Sequence, residues 1–517
     1  MRGQIATAAA VTMLGSVLYA GPAHAAGTGY TSSYETIPGH RGTPLKALVY
    51  KPKGRGPFPL IVMPASWSLF HAEYAGAAAE LASSGYEVIA YTTRGFWDSQ
   101  GAIEAAGRPD IGDMSRIIDW AVAHADADES RVGAAGISYG GGIPLLASAF
   151  DKRIRAVSAM SSWASLAESL YLNQTLNEQG TALLLGVSHV TGRPGNELLE
   201  VQDGYLKDEF GHALELISTR GAAAYVDRIN ANRPAILLSG GWQDGIVPPG
   251  QNIDFFNRLT VPKRLMYQAG DHATTDILGA VGLPNDAWTE TTRWFDHHLR
   301  GVKNGVDKAG AVSLKAGNGG SWRNFTGWSA QAQGTRRYYP RPGEKLGVRF
   351  KAWKKTIRTG SGTVADSGVA MATGVAAQAG THWKIRPSRV KRADGLVLRT
   401  PRFGSTTVIS GFPRFRTTVT PSGKNTSLFV YLYDEGPGGE ARLVTHVPYT
   451  LRDVTPGKAR TLDLRLQPIR WKLAKGHRLT LVIDTMDVRY RSTSTRRNKI
   501  TFSSSTTDPS RLTFPVG

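Results

Sequence analysis

The residues of this chain best arranged for chemistry are Gly136-Ile137-Ser138-Tyr139-Gly140, a match to G-x-S-x-G. An apolar run, Arg131 to Ile137, precedes them and a small-residue, helix-like stretch follows, which is the strand–turn–helix setting the motif requires. Such a turn leaves the Ser138 hydroxyl exposed and crowds its flanks, so the neighbours must be small. It also sets the Tyr139 N–H at a helix start, where it can stabilise an oxyanion. A serine is a weak nucleophile at neutral pH and needs a base. The order expected along a chain with this turn is serine, acid, histidine. Asp244 follows the apolar run Pro234 to Ser239 and is the candidate acid, against the plainer reading of Asp-Gly as turn chemistry. His272 follows the run Arg264 to Gln268 and is the candidate base. Asp271 is adjacent to it, but neighbouring loop side chains orient each other poorly, so Asp244 is the better partner. His297 and His298 fall in a helix-like stretch and read as structural, while His71 lies near the first loop. A second oxyanion donor is expected from Pro64-Ala65-Ser66-Trp67-Ser68, through the backbone of Ser66 or Trp67. Trp67 reads equally well as a substrate wall or a core aromatic.

Holding these residues together calls for a parallel sheet. Leu60 to Met63, Tyr86 to Tyr91, Arg131 to Ile137, Ile154 to Met160, Pro234 to Ser239 and Arg264 to Gln268 are short apolar runs separated by helix-like stretches. In one such stretch Ile111, Met114, Ile117, Ile118, Ala121 and Val122 recur at spacings of three and four, one helix face. This alternation predicts an α/β domain, helices on both faces of the sheet, over residues 34–305. Residues 161–233 interrupt it with helical segments such as Leu166 to Leu176 and Leu198 to Ile217, and read as a cap over the site. Beyond about residue 310, Thr, Ser, Gly and Arg become frequent. Short alternating runs appear, among them Phe415 to Val419, Ser427 to Tyr433 and Arg478 to Ile483, which predicts an antiparallel β-sandwich over 335–517.

A chain of 517 residues implies two or three domains, and 41% hydrophobic with 20% charged residues is globular. Arg2, the apolar stretch Ile5 to Tyr19 and Ala23-His24-Ala25 read as a secretory signal peptide (residues 1–25) cleaved after Ala25, so the expected localisation is extracellular. The apolar stretch is about 15 residues, shorter than a spanning helix, and no later run is long enough to be a transmembrane segment. The absence of cysteine excludes disulfides, a thiol nucleophile and cysteine metal sites. The net charge of +20 is uneven, for residues 331–517 hold 34 Lys and Arg against 11 Asp and Glu. This supports a boundary near 305–345. The basic half could attract an anionic cell-surface polymer, against the plainer reading of a solvated basic surface. No nucleic-acid reading motif accompanies the charge, so no specific nucleic-acid partner is expected.

Several further segments carry a family resemblance: Arg94-Gly95 with Ser99 and Gly101, Asp113 with Ile118-Asp119-Trp120, Gly136-Ile137-Ser138-Tyr139-Gly140-Gly141, Phe295-Asp296 with Leu299 and Gly301, and Gly476-His477-Arg478-Leu479. Together, from about residue 34 to 517, they resemble the X-prolyl dipeptidyl-peptidase and cocaine-esterase-like family. The resemblance implies an α/β-hydrolase domain with a helical cap insertion and a C-terminal jelly-roll sandwich. It maps nucleophile, acid and base onto Ser138, Asp244 and His272, and an oxyanion donor onto the Tyr139 backbone. It implies no cofactor and no metal. Cocaine-esterase-like members carry an oxyanion-hole tyrosine in the loop where this chain has Ala65-Ser66-Trp67, so a backbone or Ser66 donor is expected instead. Substrates implied are peptides with a penultimate proline, the leading expectation, or small esters. A dipeptidyl-peptidase needs acidic groups for the free α-amino group, and Glu168, Glu178 and Glu197 of the cap are candidates. The rival of another class is a non-catalytic protein that attaches to surfaces through its basic sandwich.

Overall fold

A computed structural model describes residues 29–517, and the leader-like segment read from the sequence lies outside the described residues. The first layer system is a ten-stranded sheet. Its strands are β1 (Tyr30–Pro38), β2 (Pro44–Pro52), β3 (Phe58–Pro64), β4 (Glu87–Tyr91), β5 (Ala127–Ile137), β6 (Ile154–Met160), β7 (Ala235–Gly241), β8 (Lys263–Gln268), β9 (Val312–Leu314) and β10 (Arg323–Phe325). Their spatial order is β1-β2-β4-β3-β5-β6-β7-β8-β9-β10. The run from β4 to β9 is parallel, and antiparallel pairs close both edges. β9 and β10 lie beyond residue 305 and have three residues each, too few to show a period in sequence.

The central strands are continuous apolar runs because both faces are covered. Leu60 and Val62 of β3 join a core with Met114 and Ile117 of helix Arg108–His124 and Ile143 of helix Tyr139–Ala147. Ile61 and Met63, pointing the other way, pack with Ala78 of helix Ala75–Ser83 and Phe295 of helix Asp286–Arg300. A parallel sheet places the loops after β3, β5, β7 and β8 on one edge, where ligands bind in such folds.

Between β6 and β7 the chain leaves the sheet for helices Leu166–Leu170, Glu178–Thr191, Asn196–Lys207, Gly211–Ser218 and Val226–Asn232. The stretch Leu198 to Ile217 is two helices, separated at Asp208, which takes a left-handed conformation (φ 59°). The C-terminal region is two largely antiparallel layers joined through strand Gly334–Arg341, which pairs with Arg511–Val516 in one layer and Lys345–Gly347 in the other. In its central strand, Thr426–Glu435, Leu428, Val430 and Leu432 share a core with Phe415 and Trp471. Phe429, Tyr431 and Tyr433 form a second core with Ile385 and Val482. One short helix, Ala372–Gln378, reaches from this region back to the loop after β8. Among the described residues no helix is long and apolar enough to cross a membrane.

Candidate active site

β5 ends at Ile137 and a helix begins at Tyr139, so Ser138 carries the whole change of direction, with φ 54° and ψ −117°. A non-glycine residue there stores about 1–3 kcal/mol of strain. The small neighbours are required by contact. A Cβ on Gly136 would lie 2.3 Å from the Gly140 carbonyl oxygen, and one on Gly140 would lie 2.1 Å from the Pro64 oxygen. The turn is therefore wedged against the end of β3, the strand that leads into the Ala65–Ser68 loop.

Ser138 Oγ is 2.7 Å from His272 Nε2, and His272 Nδ1 is 3.0 Å from Asp244 Oδ2. The second Asp244 oxygen accepts the amides of Ile246 (2.9 Å) and Val247 (2.7 Å), which fixes the carboxylate. With Nδ1–H donating to Asp244, Nε2 is free to accept the Ser138 proton. Burial alone would depress the His272 pKa. Asp244 outweighs it by charge and hydrogen bond, helped by Asp271 and Asp276, and the net shift is upward from 6.5.

The sequence reading set Asp271 aside as a partner for His272, and its role proves to lie in the backbone. Its Oδ1 accepts the amides of Gly245 (2.7 Å) and His272 (2.9 Å), and its Oδ2 accepts Gly374 N–H at 3.0 Å. It thus ties the acid loop, the histidine loop and the C-terminal helix Ala372–Gln378 together. Asp276, also buried, accepts the Ser161 hydroxyl at 2.6 Å and is pushed up to about 6 by burial.

Of the two residues expected to supply the second oxyanion donor, Ser66 is already committed. Its amide donates to Glu73 Oε2 (2.7 Å), and its hydroxyl lies 2.6 Å from Glu73 Oε1 and 2.7 Å from the Ile137 oxygen. The Trp67 amide has no hydrogen-bond partner among the described residues. The Trp67 indole donates to the Leu184 carbonyl (2.9 Å), and its ring meets those of Phe96 and Tyr139 edge-on. The Tyr139 hydroxyl accepts the Ala106 amide at 2.8 Å. Arg94 and Asp113 form a buried two-pronged ion pair, with 2.7 Å at both contacts, and Asp113 also accepts the His40 amide. These motif residues brace the loops.

Above Ser138 and His272 lies a cavity of about 80 Å³. Trp67, Trp163, Leu166, Leu170, Leu184, Leu185, Leu198, Val201, Ile217, Ile246 and Val247 line most of it, and none of its described lining residues is acidic. Glu178 pairs instead with Arg491 (2.6 Å), Glu197 pairs with Arg220, and Glu168 lines a separate cleft beside Asp254 and Arg465. His71 bonds Thr92 (2.9 Å), and His298 packs on Trp294; neither lines the cavity.

The sheet order and the turn at Ser138 define a serine hydrolase of α/β-hydrolase type. Residues 41–274 match the family model for the X-Pro dipeptidyl-peptidase (S15 family), and residues 304–513 match that for the X-Pro dipeptidyl-peptidase C-terminal non-catalytic domain. The two matches together span most of the chain, which belongs to the X-Pro dipeptidyl-peptidase (S15) family. A Bacillus anthracis protein provisionally named Xaa-Pro dipeptidyl-peptidase is 23% identical over 446 residues, covering 78% of this chain and 70% of its own. A Streptomyces avermitilis protein with the same provisional name is 24% identical over 475 residues, covering 78% and 67%. Among solved structures, an aminopeptidase from a Thaumarchaeota archaeon superposes with TM-score 0.75 at 14% identity, over 96% of this chain and 98% of that one. A CocE/NonD family hydrolase from Staphylococcus aureus gives 0.74 at 11% identity, over 94% of each. An α-amino acid ester hydrolase gives 0.70 at 14%, over 96% and 98%. At such identities these structures speak to the fold.

Proposed function

We propose that this chain is an exported serine hydrolase that cleaves esters of uncharged, apolar carboxylic acids, with Ser138 as nucleophile, His272 as base and Asp244 as its orienting acid. The observation that carries the ester reading is the cavity above Ser138, whose lining is mostly apolar and, among the described residues, holds no carboxylate. A free α-amino group would have to be desolvated there without a charge partner, which is costly. In the proposed reaction His272 Nε2 takes the Ser138 proton while Oγ bonds to the acyl carbon. The carbonyl electrons collect as an oxyanion facing the Tyr139 and Trp67 amides. Collapse breaks the bond to the alcohol, which leaves with the proton from His272. Water, deprotonated by His272, then attacks the acyl-enzyme, and Ser138 departs with the proton.

The dipeptidyl-peptidase reading is favoured by the family match and by the names of the relatives. A panel of nitrophenyl esters of rising acyl length beside Ala-Pro-nitroanilide, with wild type and Ser138→Ala, separates the two. The ester reading expects Ser138-dependent ester turnover, with kcat/KM rising by about fourfold per methylene until the cavity is full, and negligible anilide turnover. Ser138-dependent anilide turnover that exceeds ester turnover would overturn it.

A further inference from the structure

Directly behind the turn, Glu73 is fully buried, with both carboxyl oxygens on Ser66. The Ser66 hydroxyl has a single proton but two short oxygen contacts, Glu73 Oε1 at 2.6 Å and the Ile137 carbonyl at 2.7 Å. A carbonyl cannot donate. The Ser66 proton therefore goes to Ile137, and the proton between Ser66 and Glu73 belongs to Glu73. Were Glu73 ionised, one of the two contacts would set lone pairs against each other.

We propose that Glu73 is a neutral positioning acid, whose carboxyl proton pins the Ser66–Trp67 loop to the strand end that carries Ser138. The chain of bonds runs from Glu73 O–H to Ser66 Oγ, from Ser66 O–H to Ile137 O, and back from Ser66 N–H to Glu73 Oε2. Ile137 is the residue before Ser138, and Trp67 is the residue after Ser66, so the two oxyanion amides are held in register through this ring. Tyr74 completes the packing: its hydroxyl accepts the Ile137 amide at 3.0 Å, and a Cβ on Gly140 would lie 2.5 Å from it. Burial raises the Glu73 carboxyl from 4.5 to about 7, against the opposing pull of the Ser66 amide and of Tyr74. Tyr74 is the titratable neighbour, and no ion pair to Glu73 occurs among the described residues. The proposal rests on the assignment of the Trp67 amide as an oxyanion donor for its effect on rate, but not for the protonation state itself.

The test is Glu73→Gln beside Glu73→Leu, read by activity and by thermal unfolding against pH. A glutamine amide donates to Ser66 Oγ and accepts from Ser66 N–H, copying a neutral acid but not a carboxylate. Below pH 6, Glu73→Gln is expected within about twofold of wild-type kcat. Glu73→Leu is expected to fall by about tenfold or more in kcat, the scale of a misplaced oxyanion donor, with KM little changed. Because the folded pKa lies above the unfolded one, the stability that protonated Glu73 contributes is present below about 4.5 and is lost as pH rises towards about 7. The Tm of wild type should therefore fall relative to Glu73→Gln across that window, in the Ser138→Ala background as well. A pH-independent Tm difference, or a folded Glu73→Gln that loses activity tenfold at every pH, would overturn the proposal. The Tm series is independent of turnover, so its result stands apart from the ester reading.

Discussion

His272 divides the site into two unlike halves. In front of it, the cap and the Ile246–Val247 segment enclose an apolar cavity. Behind it stand Asp244, Asp271 and Asp276, all buried, whose oxygens accept backbone amides or hydroxyls. The front is lined mainly by aliphatic side chains, with Trp67 and Trp163. The rear is a set of specific hydrogen bonds, one of which comes from Gly374 in the C-terminal region. On the proposed function, binding selectivity and proton handling are built from different materials: replacements in front should shift substrate preference, and replacements behind should cost rate whatever the substrate.

The largest effects should come from the line of bonds itself. Ser138→Ala should lower ester turnover by about 10⁴-fold or more, and Asp244→Asn by about 10³- to 10⁴-fold with KM nearly unchanged, since the histidine loses its orienting acceptor. Initial-rate kinetics on a nitrophenyl ester check both. Next comes Asp271→Leu, which leaves the amides of Gly245, His272 and Gly374 without their acceptor. At about 1–3 kcal/mol per orphaned donor, it should lower stability by several kcal/mol in a denaturant titration, and kcat with it. Gly374→Ala, whose Cβ would fall 2.3 Å from Asp271 Cβ, should show a milder form of the same defect. In front, Ile246→Asp should reduce kcat/KM for apolar esters by about tenfold or more, because it places an unpaired carboxylate in an apolar cavity; the Tm should move less than in Asp271→Leu. Equal loss of kcat and stability from front and rear variants would erase the distinction.

The smallest effect concerns pH. In its proposed role as base His272 must be neutral, and the carboxylates behind it favour its protonated form, so kcat/KM should rise with pH through a midpoint above 6.5. Removing one of these charges, in Asp271→Asn, should move that midpoint down. A midpoint below 6.5 in wild type would mean that burial, not the carboxylates, dominates.

Much of the front-to-rear axis was legible in sequence because it follows local rules. The G-x-S-x-G spacing states a steric requirement of one turn. Asp244 and His272 stand immediately after apolar strand runs, where a parallel sheet gathers its loops. The layout of sheet, cap and sandwich followed from periodicity and composition. Most of what stayed hidden depends on contacts that no local pattern announces. Asp271 meets Gly374 across 103 residues of chain, through a helix of small residues that gives no amphipathic signal. Residue type and spacing do not separate Ser66 from Trp67 as donors; a nearer contact does, for Glu73, seven residues on, occupies the Ser66 amide and hydroxyl. The cap glutamates stand out in sequence as charges, yet Glu178 and Glu197 are paired elsewhere, and the cavity is lined by cap leucines such as Leu166, Leu170, Leu184, Leu185 and Leu198. β9 and β10 fell below the length at which alternation can be read.

The most direct test of the account is covalent labelling of the nucleophile. The protein is incubated with a fluorophosphonate carrying a short alkyl chain, and the adduct is located by peptide mass mapping. The account predicts one adduct, on the peptide containing Ser138, absent from Ser138→Ala, much slower in His272→Ala, and blocked by an apolar ester substrate but not by Ala-Pro peptides. Ester turnover without labelling of Ser138, or labelling at another serine that persists in Ser138→Ala, would contradict it.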